Sequence, residues 1–331
     1  MNLQKWHEKS IDILLLEHTD LDGYGNGIVL RSAGFSPSIV NLNNNEVDPF
    51  IVELLEGFQA GTRAIPEAII ISDISPTPGV AKKLDEFYQT GKCEVYLFDH
   101  HTTALHLNQY EWAKVVVEDH GVKTCGTQLL YQFLKEIGVP MDKDIEAGLD
   151  IFVEEVRLYD TWDWEKANHP SAKALNDLFF LLTPPVFEAN RVGNMAKVHE
   201  QLFSDEEMRL LDVENLRIKK YIQQKNADMI IIPDFFTDDK GNPLVAGVVQ
   251  ADQYISELGH FLCNEHPEID FALLLNLTRN KASLRATKEE VNVIPIVKKY
   301  NGGGHPKAAG CNITAMGMDF LELLFKKLSE R

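Results

Sequence analysis

The stretch Glu94-Val95-Tyr96-Leu97-Phe98-Asp99-His100-His101 joins a run of apolar residues to an acid and two adjacent histidines. Glu94 to Phe98 has the β-branched, aromatic and aliphatic content of a buried strand. Asp99, His100 and His101 therefore fall at its carboxyl end. Two earlier stretches repeat the plan. Ile11 to Glu17 precedes His18-Thr19-Asp20-Leu21-Asp22-Gly23, and Ala68 to Ser72 precedes Asp73. A fourth strand is predicted over Lys114 to Val117, and apolar residues at helical spacing predict helices over Val47–Phe58, Gly79–Thr90 and Gly126–Ile137. Strands alternating with helices specify an α/β domain with a largely parallel sheet. Such sheets bind ligands beyond the carboxyl ends of their strands, which is where these acids and histidines sit.

Further along, a long helix is predicted from Ile145 to Leu158. Ser204-Asp205-Glu206-Glu207 has the form of a capping box opening a helix to about Asn226. Strand-like runs return at Met229–Ile232, Leu244–Val249, Phe271–Leu277 and Ala282–Ala286, and an amphipathic helix is predicted over 319–327. The expected architecture is α/β throughout. A parallel-sheet metal-binding domain (residues 1–190) is joined by a helical linker (191–228) to a smaller α/β substrate-binding domain (229–331).

The 331 residues include 50 acidic and 32 basic ones, a net charge of −18. Non-specific binding of long duplex nucleic acid depends on Lys and Arg neutralising phosphates, so that class is excluded, while a short phosphorylated substrate held through metal ions is not. The acid excess lies almost wholly in residues 1–228. Residues 229–331 carry 13 acids and 11 bases, with Arg279, Lys281, Arg285 and Lys288 within ten positions. An acidic first part suits cations and the basic segment suits anions. The four cysteines form no Cys-x-x-Cys pair, and no apolar run approaches the ~20 residues of a membrane span. A cytoplasmic protein without membrane partners is expected.

The residue types at the strand ends point to metal chemistry. Alternation along an extended segment would project His18, Asp20 and Asp22 to one side, with Gly23 allowing a sharp turn. Asp73 and the Asp99-His100-His101 triplet follow two other strands. Asp160, in Tyr159-Asp160-Thr161-Trp162-Asp163-Trp164, is placed in a loop after a helix, with Asp150 and Asp163 as rival carboxylates. Carboxylates with imidazoles and no thiolate motif favour Mn²⁺ or Mg²⁺, and so many ligands suit two ions sharing a carboxylate. Late in the chain, Asn301-Gly302-Gly303-Gly304-His305-Pro306 is expected to turn successive N–H groups inward as an anion nest, with His305 as an added donor.

In this order the motifs resemble the DHH phosphoesterase superfamily with its DHH-associated C-terminal domain, over nearly the whole chain. The likeness is greatest to the small bacterial NrnB-type branch of nanoRNases and oligoribonucleases. The resemblance implies a two-ion site, Mn²⁺ foremost with Mg²⁺ or Co²⁺ as substitutes. His18, Asp20 and Asp73 would hold one ion and Asp22, Asp73, His100 and Asp160 the other. Asp99 would orient a neighbouring donor, and His101 would contact the scissile phosphate or help the leaving group. Arg285, Gly302, Gly303, Gly304 and His305 would bind substrate phosphate. Trp162 and Trp164 are candidates for base stacking, with packing as the commoner role for such residues.

The implied activity is hydrolysis of short RNA or small dinucleotides to 5′-mononucleotides, with 3′-phosphoadenosine 5′-phosphate as a side substrate. A homodimer is compatible with it. An inorganic pyrophosphatase or exopolyphosphatase, and a non-catalytic nucleotide sensor, are the alternatives.

Overall fold

The computed structural model describes residues 2–329 and divides into two compact units, Met1–Leu211 and Asp212–Arg331. The helix Asp205–Asp228 begins in the first and ends in the second.

In the first unit, strands β1 (Ile13–Glu17), β2 (Ser38–Asn41), β3 (Ala68–Ser72), β4 (Glu94–Asp99) and β5 (Ala113–Val115) form one sheet in the order β2-β1-β3-β4-β5. Every pairing is parallel. Alternate residues of each strand enter different cores. Leu15 and Ile70 pack with the helices Leu21–Ser32, Gly126–Glu136 and Lys143–Asp160 on one face. Leu16, Ile69 and Ile71 pack with Val47–Ala60 and Pro78–Tyr88 on the other. Burial on both faces is why these strands are continuous apolar runs. Strand order reverses between β1 and β3, and a crevice opens at such a point beyond the carboxyl ends. A two-stranded hairpin, β6 (Glu118–Asp119) and β7 (Val122–Lys123), follows.

The second unit is built on a mixed sheet. Its strands are β8 (Ile230–Thr237), β9 (Pro243–Gln250), β10 (Phe271–Asn276), β11 (Lys281–Arg285), β12 (Gly303–His305) and β13 (Ala308–Asn312), in the order β12-β13-β11-β10-β9-β8. Of these neighbours β9 and β10 run parallel, and the other pairings are antiparallel. Leu273, Leu275 and Leu284 face one apolar core, Ala272 and Leu274 the other.

Several elements depart from the sequence expectation. The helix Leu21–Ser32 is unannounced because Gly23, Gly25 and Gly27 dilute its apolar pattern. Strand β2 is a half-buried edge with little apolar content. Between Asp163 and Asn194 lie three helices, two of them opened by Pro170 and Pro184. No described helix is long and apolar enough to cross a membrane.

Candidate metal centre

Each predicted ligand sits where an element ends. Asp20 caps the helix Leu21–Ser32, its Oδ1 accepting from the Gly23 N–H at 3.0 Å. Asp22 lies in that helix's first turn. His18, Asp20 and Asp22 thus converge through a strand exit and a helical turn, not through alternation along an extended segment as expected. Gly23 also makes no sharp turn. It lets the helix start press on the chain before it, because a Cβ there would collide with the His18 carbonyl. Asp73 follows β3 in the left-handed region, at φ 61°, with its N–H donated to the Phe98 carbonyl at 3.0 Å. Few non-glycine residues adopt that conformation, and aspartate is among them.

Asp160 is the last residue of the helix Lys143–Asp160, which corrects its placement in a loop. Its rivals are engaged elsewhere. Asp150 accepts from Tyr131 Oη at 2.8 Å and Lys135 Nζ at 3.1 Å, and Asp163 lies 3.4 Å from Arg157 Nη1.

These ends bring six side chains together. His18 Nδ1 lies 2.7 Å from Asp20 Oδ2 and 3.5 Å from Asp73 Oδ2. His100 Nε2 lies 3.2 Å from Asp73 Oδ1, 3.4 Å from Asp160 Oδ2 and 3.9 Å from Asp22 Oδ2. Two triads result, His18/Asp20/Asp73 and Asp22/His100/Asp160, each with its ligand atoms within 4.8 Å of one another. Asp73 reaches both.

The sequence did not single out the groups that hold Asp22. Its carboxylate accepts the Gly126 N–H at 2.6 Å and the Thr127 N–H at 2.8 Å, at the positive end of the helix Gly126–Glu136. Ser72 Oγ donates to Asn26 Oδ1 at 2.7 Å, and Asn26 Nδ2 donates to the Asp22 and Gly23 carbonyls, both at 2.9 Å. Gly126 carried a usable signal. A glycine opening an apolar helix invites close approach, and a Cβ there would stand 2.9 Å from that of Asp73.

The site's electrostatics follow from crowded acids out of water. Burial, then Asp20 and Asp22, raise the Asp73 pKa well above the ordinary carboxyl range. Burial pushes Asp160 up to about 7, against the pull of His100. For His18 burial opposes protonation, but the Asp20 hydrogen bond and the close carboxylates of Asp20 and Asp73 prevail and push its pKa up to about 10. His100 is raised too: burial opposes, and the charges of Asp160 and Asp22 outweigh it. The cluster is short of positive charge. Asp73 Oδ2 and Asp160 Oδ2 are buried oxygens that accept no hydrogen bond among the described residues. Hard oxygen donors with two imidazoles fit divalent cations of the Mn²⁺ or Mg²⁺ kind.

Asp99 has another role. Its Oδ1 accepts from the N–H groups of His100 (2.6 Å) and His101 (3.0 Å) and from His101 Nδ1 (2.7 Å), while Oδ2 accepts from Ser75 Oγ. The bond fixes the His101 ring and leaves Nε2 as its outward nitrogen. Burial opposes a charge on His101, but the Asp99 hydrogen bond and charge raise its pKa above the ordinary value. Despite burial, the same contacts hold the Asp99 pKa low.

The remaining predicted residues lie in the second unit. Gly303–His305 is strand β12, at the sheet edge, so the glycines form no nest; of the three, Gly304 alone has positive φ, at 136°. Glycine at 302 allows backbone contact, since a Cβ would strike the Gly310 carbonyl. Arg285 and His305 both lie opposite Ala308, so they occupy one row across β11, β13 and β12 and share a face. Arg285 donates from Nη1 to the Leu284 carbonyl at 3.0 Å and from Nη2 to Ser256 Oγ at 3.2 Å. Of the basic segment, Lys288 is paired with Asp270 at 3.0 Å.

Comparison with known proteins bears on this arrangement. The chain is 38% identical to the oligoribonuclease NrnB of Bacillus subtilis (strain 168) over 302 residues, which is 91% of this chain and 72% of that protein. Among solved structures, the pGpG-specific phosphodiesterase PggH from Vibrio cholerae matches with a TM-score of 0.53 at 12% identity, covering 96% of this chain and 97% of that one. RecJ from Thermus thermophilus, solved with Mn²⁺, matches with a TM-score of 0.51 at 15% identity, over 94% of this chain and 50% of RecJ. At those identities the two structures speak for the fold. No family model matches the chain.

Proposed function

The chain belongs to the DHH phosphoesterase superfamily, in one family with the Bacillus oligoribonuclease, and from that premise we propose that it hydrolyses short oligoribonucleotides and small dinucleotides to 5′-mononucleotides with Mn²⁺ as its preferred ion. It is a metal-dependent phosphoesterase acting on nucleotide phosphodiesters. The observation that carries the finer reading is the pair of triads joined by Asp73, because two neighbouring cation sites suit in-line phosphoryl displacement.

In this reading His18, Asp20 and Asp73 hold one ion, and Asp22, Asp73, His100 and Asp160 the other. Bound there, two divalent ions supply Lewis acidity at the phosphoryl oxygens and lower the pKa of the attacking water. The protein's own groups do the rest. The helix start at Gly126 and Thr127 fixes Asp22 before any ligand arrives. Asp99 holds His101 through Nδ1 and favours its protonated form, so that Nε2 donates to the scissile phosphate or to the leaving oxygen. In the second domain (229–331 in this reading) Arg285, the Gly302–Gly304 backbone and His305 bind a further phosphate, Arg285 with its planar fork. The acidic first domain repels a long duplex, which leaves a substrate of few phosphates. Four free, buried cysteines suit a reducing cytoplasm. 3′-Phosphoadenosine 5′-phosphate is a side substrate in the same reading.

The test is chromatography of products from metal-stripped protein with and without Mn²⁺, on RNA 2–5-mers, a 24-mer, pGpG, 3′-phosphoadenosine 5′-phosphate, pyrophosphate and polyphosphate. Mn²⁺-dependent 5′-mononucleotides from the shortest RNAs are expected. Phosphate from pyrophosphate or polyphosphate alone would replace this reading with a pyrophosphatase, and bound nucleotide without turnover with a sensor.

A further inference from the structure

Three aromatic residues adjoin Asp160 in the chain and lie outside the apolar cores of the first unit. Tyr159, Trp162 and Trp164 are half-buried and flank Asp160, whose carboxylate lies against His100. The other two tryptophans, Trp6 and Trp112, are buried in the core. Core packing therefore accounts for Trp6 and Trp112 and leaves the pair near Asp160 unexplained.

Trp162 is held in an unfavourable conformation. Its φ of 62° and ψ of 16° lie in the left-handed region, where a bulky side chain is an outlier. Such strain persists only where surrounding contacts fix it, and it concentrates at functional sites. Here the contacts are specific. The Trp162 N–H donates to the Tyr159 carbonyl at 3.0 Å, and Thr161 Oγ1 donates to the Arg157 carbonyl at 2.8 Å. Lys123 Nζ, from the β6–β7 hairpin, donates to the Thr161 carbonyl at 3.2 Å. The indole itself is anchored, with Nε1 donating to Glu165 Oε2 at 3.0 Å. Trp164 meets the Trp162 ring edge-on, with centroids 5.6 Å apart and planes at 64°, and Tyr159 sits at 5.9 Å. Trp164 Nε1 is a buried donor with no acceptor among the described residues.

We propose that Trp162 is the platform on which a nucleobase of the substrate stacks, and that Trp164 and Tyr159 set its plane. The proposal rests on the nucleotide phosphodiesterase reading and deepens it. A base is the fitting occupant because the residues flanking the rings, Asp163 and Glu165, are acidic and give a phosphate away from the metal centre no attraction. A neutral π face adds affinity there without a cation, and every base has one. A substrate made only of phosphates would gain nothing from these rings.

The experiment compares wild type with Trp162→Gly and Trp162→Phe on an RNA dinucleotide and on its abasic counterpart, alongside binding of AMP and ribose 5-phosphate by calorimetry. Glycine accepts the left-handed backbone, so it removes the ring while relieving strain. Trp162→Gly is expected to melt no lower than wild type, yet to raise KM for the dinucleotide on the order of tenfold. Trp162→Phe recovers most of that loss, and the abasic substrate keeps the same KM in all three forms. Equal losses on both substrates, or an unchanged KM for the dinucleotide, would overturn the platform. If wild type cleaves no short RNA but prefers AMP to ribose 5-phosphate through Trp162, the activity assignment falls and the platform stands. If that preference is also absent, both fall.

Discussion

Two sets of buried carboxylates lie near the carboxyl end of β1, and they differ in what satisfies them. Glu17, the last residue of the strand, accepts the Gly27 N–H at 3.0 Å and Asn41 Nδ2 at 2.8 Å, one on each oxygen. Glu188, close by, is paired with Arg31 at 2.5 Å. Beyond His18, Asp73 is buried and Asp160 half-buried, yet each keeps a buried oxygen that accepts nothing among the described residues. Burial and charge do not separate the two sets, since the pKa of Glu17 is also raised well above the ordinary range by burial and by Glu188. Unmet hydrogen bonding does. In Asp73 and Asp160 an oxygen left without a donor has room for a cation, whereas Asp22 in the same cluster is held by backbone donors on both oxygens.

The strongest way to break this contrast is Asp73→Asn, which keeps a side chain suited to the left-handed backbone but removes the charge. We expect kcat/KM to fall on the order of 10³-fold and the metal-free protein to melt higher, since like-charge repulsion is relieved. Saturating Mn²⁺, at about 100 times its Kd, should stabilise wild type by ~2.7 kcal/mol and the variant much less. Equal Mn²⁺ shifts in thermal melts of the two proteins would remove Asp73 from the site.

Asp99→Asn probes a carboxylate with its oxygens satisfied inside the functional cluster. It should lower activity about 10- to 100-fold and weaken Mn²⁺ binding by no more than that. The sign of the pH effect is fixed by His101. Asp99 raises the His101 pKa, so the protonated ring persists below that pKa and is lost above it. Weakening the pair moves the alkaline limb of the rate profile to lower pH. A limb that stays in place would rule out His101 as the proton donor.

The smallest effect is expected at Glu17→Gln, outside the cluster. A carboxyl whose folded pKa is raised stabilises the fold at pH values below its unfolded pKa and loses that contribution as pH climbs through the folded value. Glutamine has no proton to lose there. The variant should gain on wild type as the pH rises above about 4.5, with turnover little changed. Parallel melting curves across that range would contradict the assigned burial of charge.

The sequence carried much of this because its signals were local. The runs before His18, Asp73 and Asp99 marked three strands whose ends meet in one crevice, and their residue types named the chemistry. Asp160 followed from the family resemblance, since its own surroundings left Asp150 and Asp163 as rivals, and only contacts with other elements engage those two elsewhere. The helix behind Asp20 was hidden, since three glycines weaken its apolar signal while serving close packing. The glycine run at Gly302–Gly304 suggested a loop, but Gly303 and Gly304 enter strand β12, because pairing with β13 supplies an order that glycine's own freedom does not specify.

By itself, then, the order of residues determined which elements form and which side chains stand at their ends, because apolar runs and strand-end acids are read over a few neighbouring positions. Only the tertiary structure decided which carboxylate oxygens find a donor: Gly126 and Thr127 reach Asp22 from more than a hundred residues away, while Asp73 and Asp160 keep an oxygen unmet. Hydrogen bonding at that range depends on distances and angles that the packed helices and sheet set together, and no local pattern encodes them.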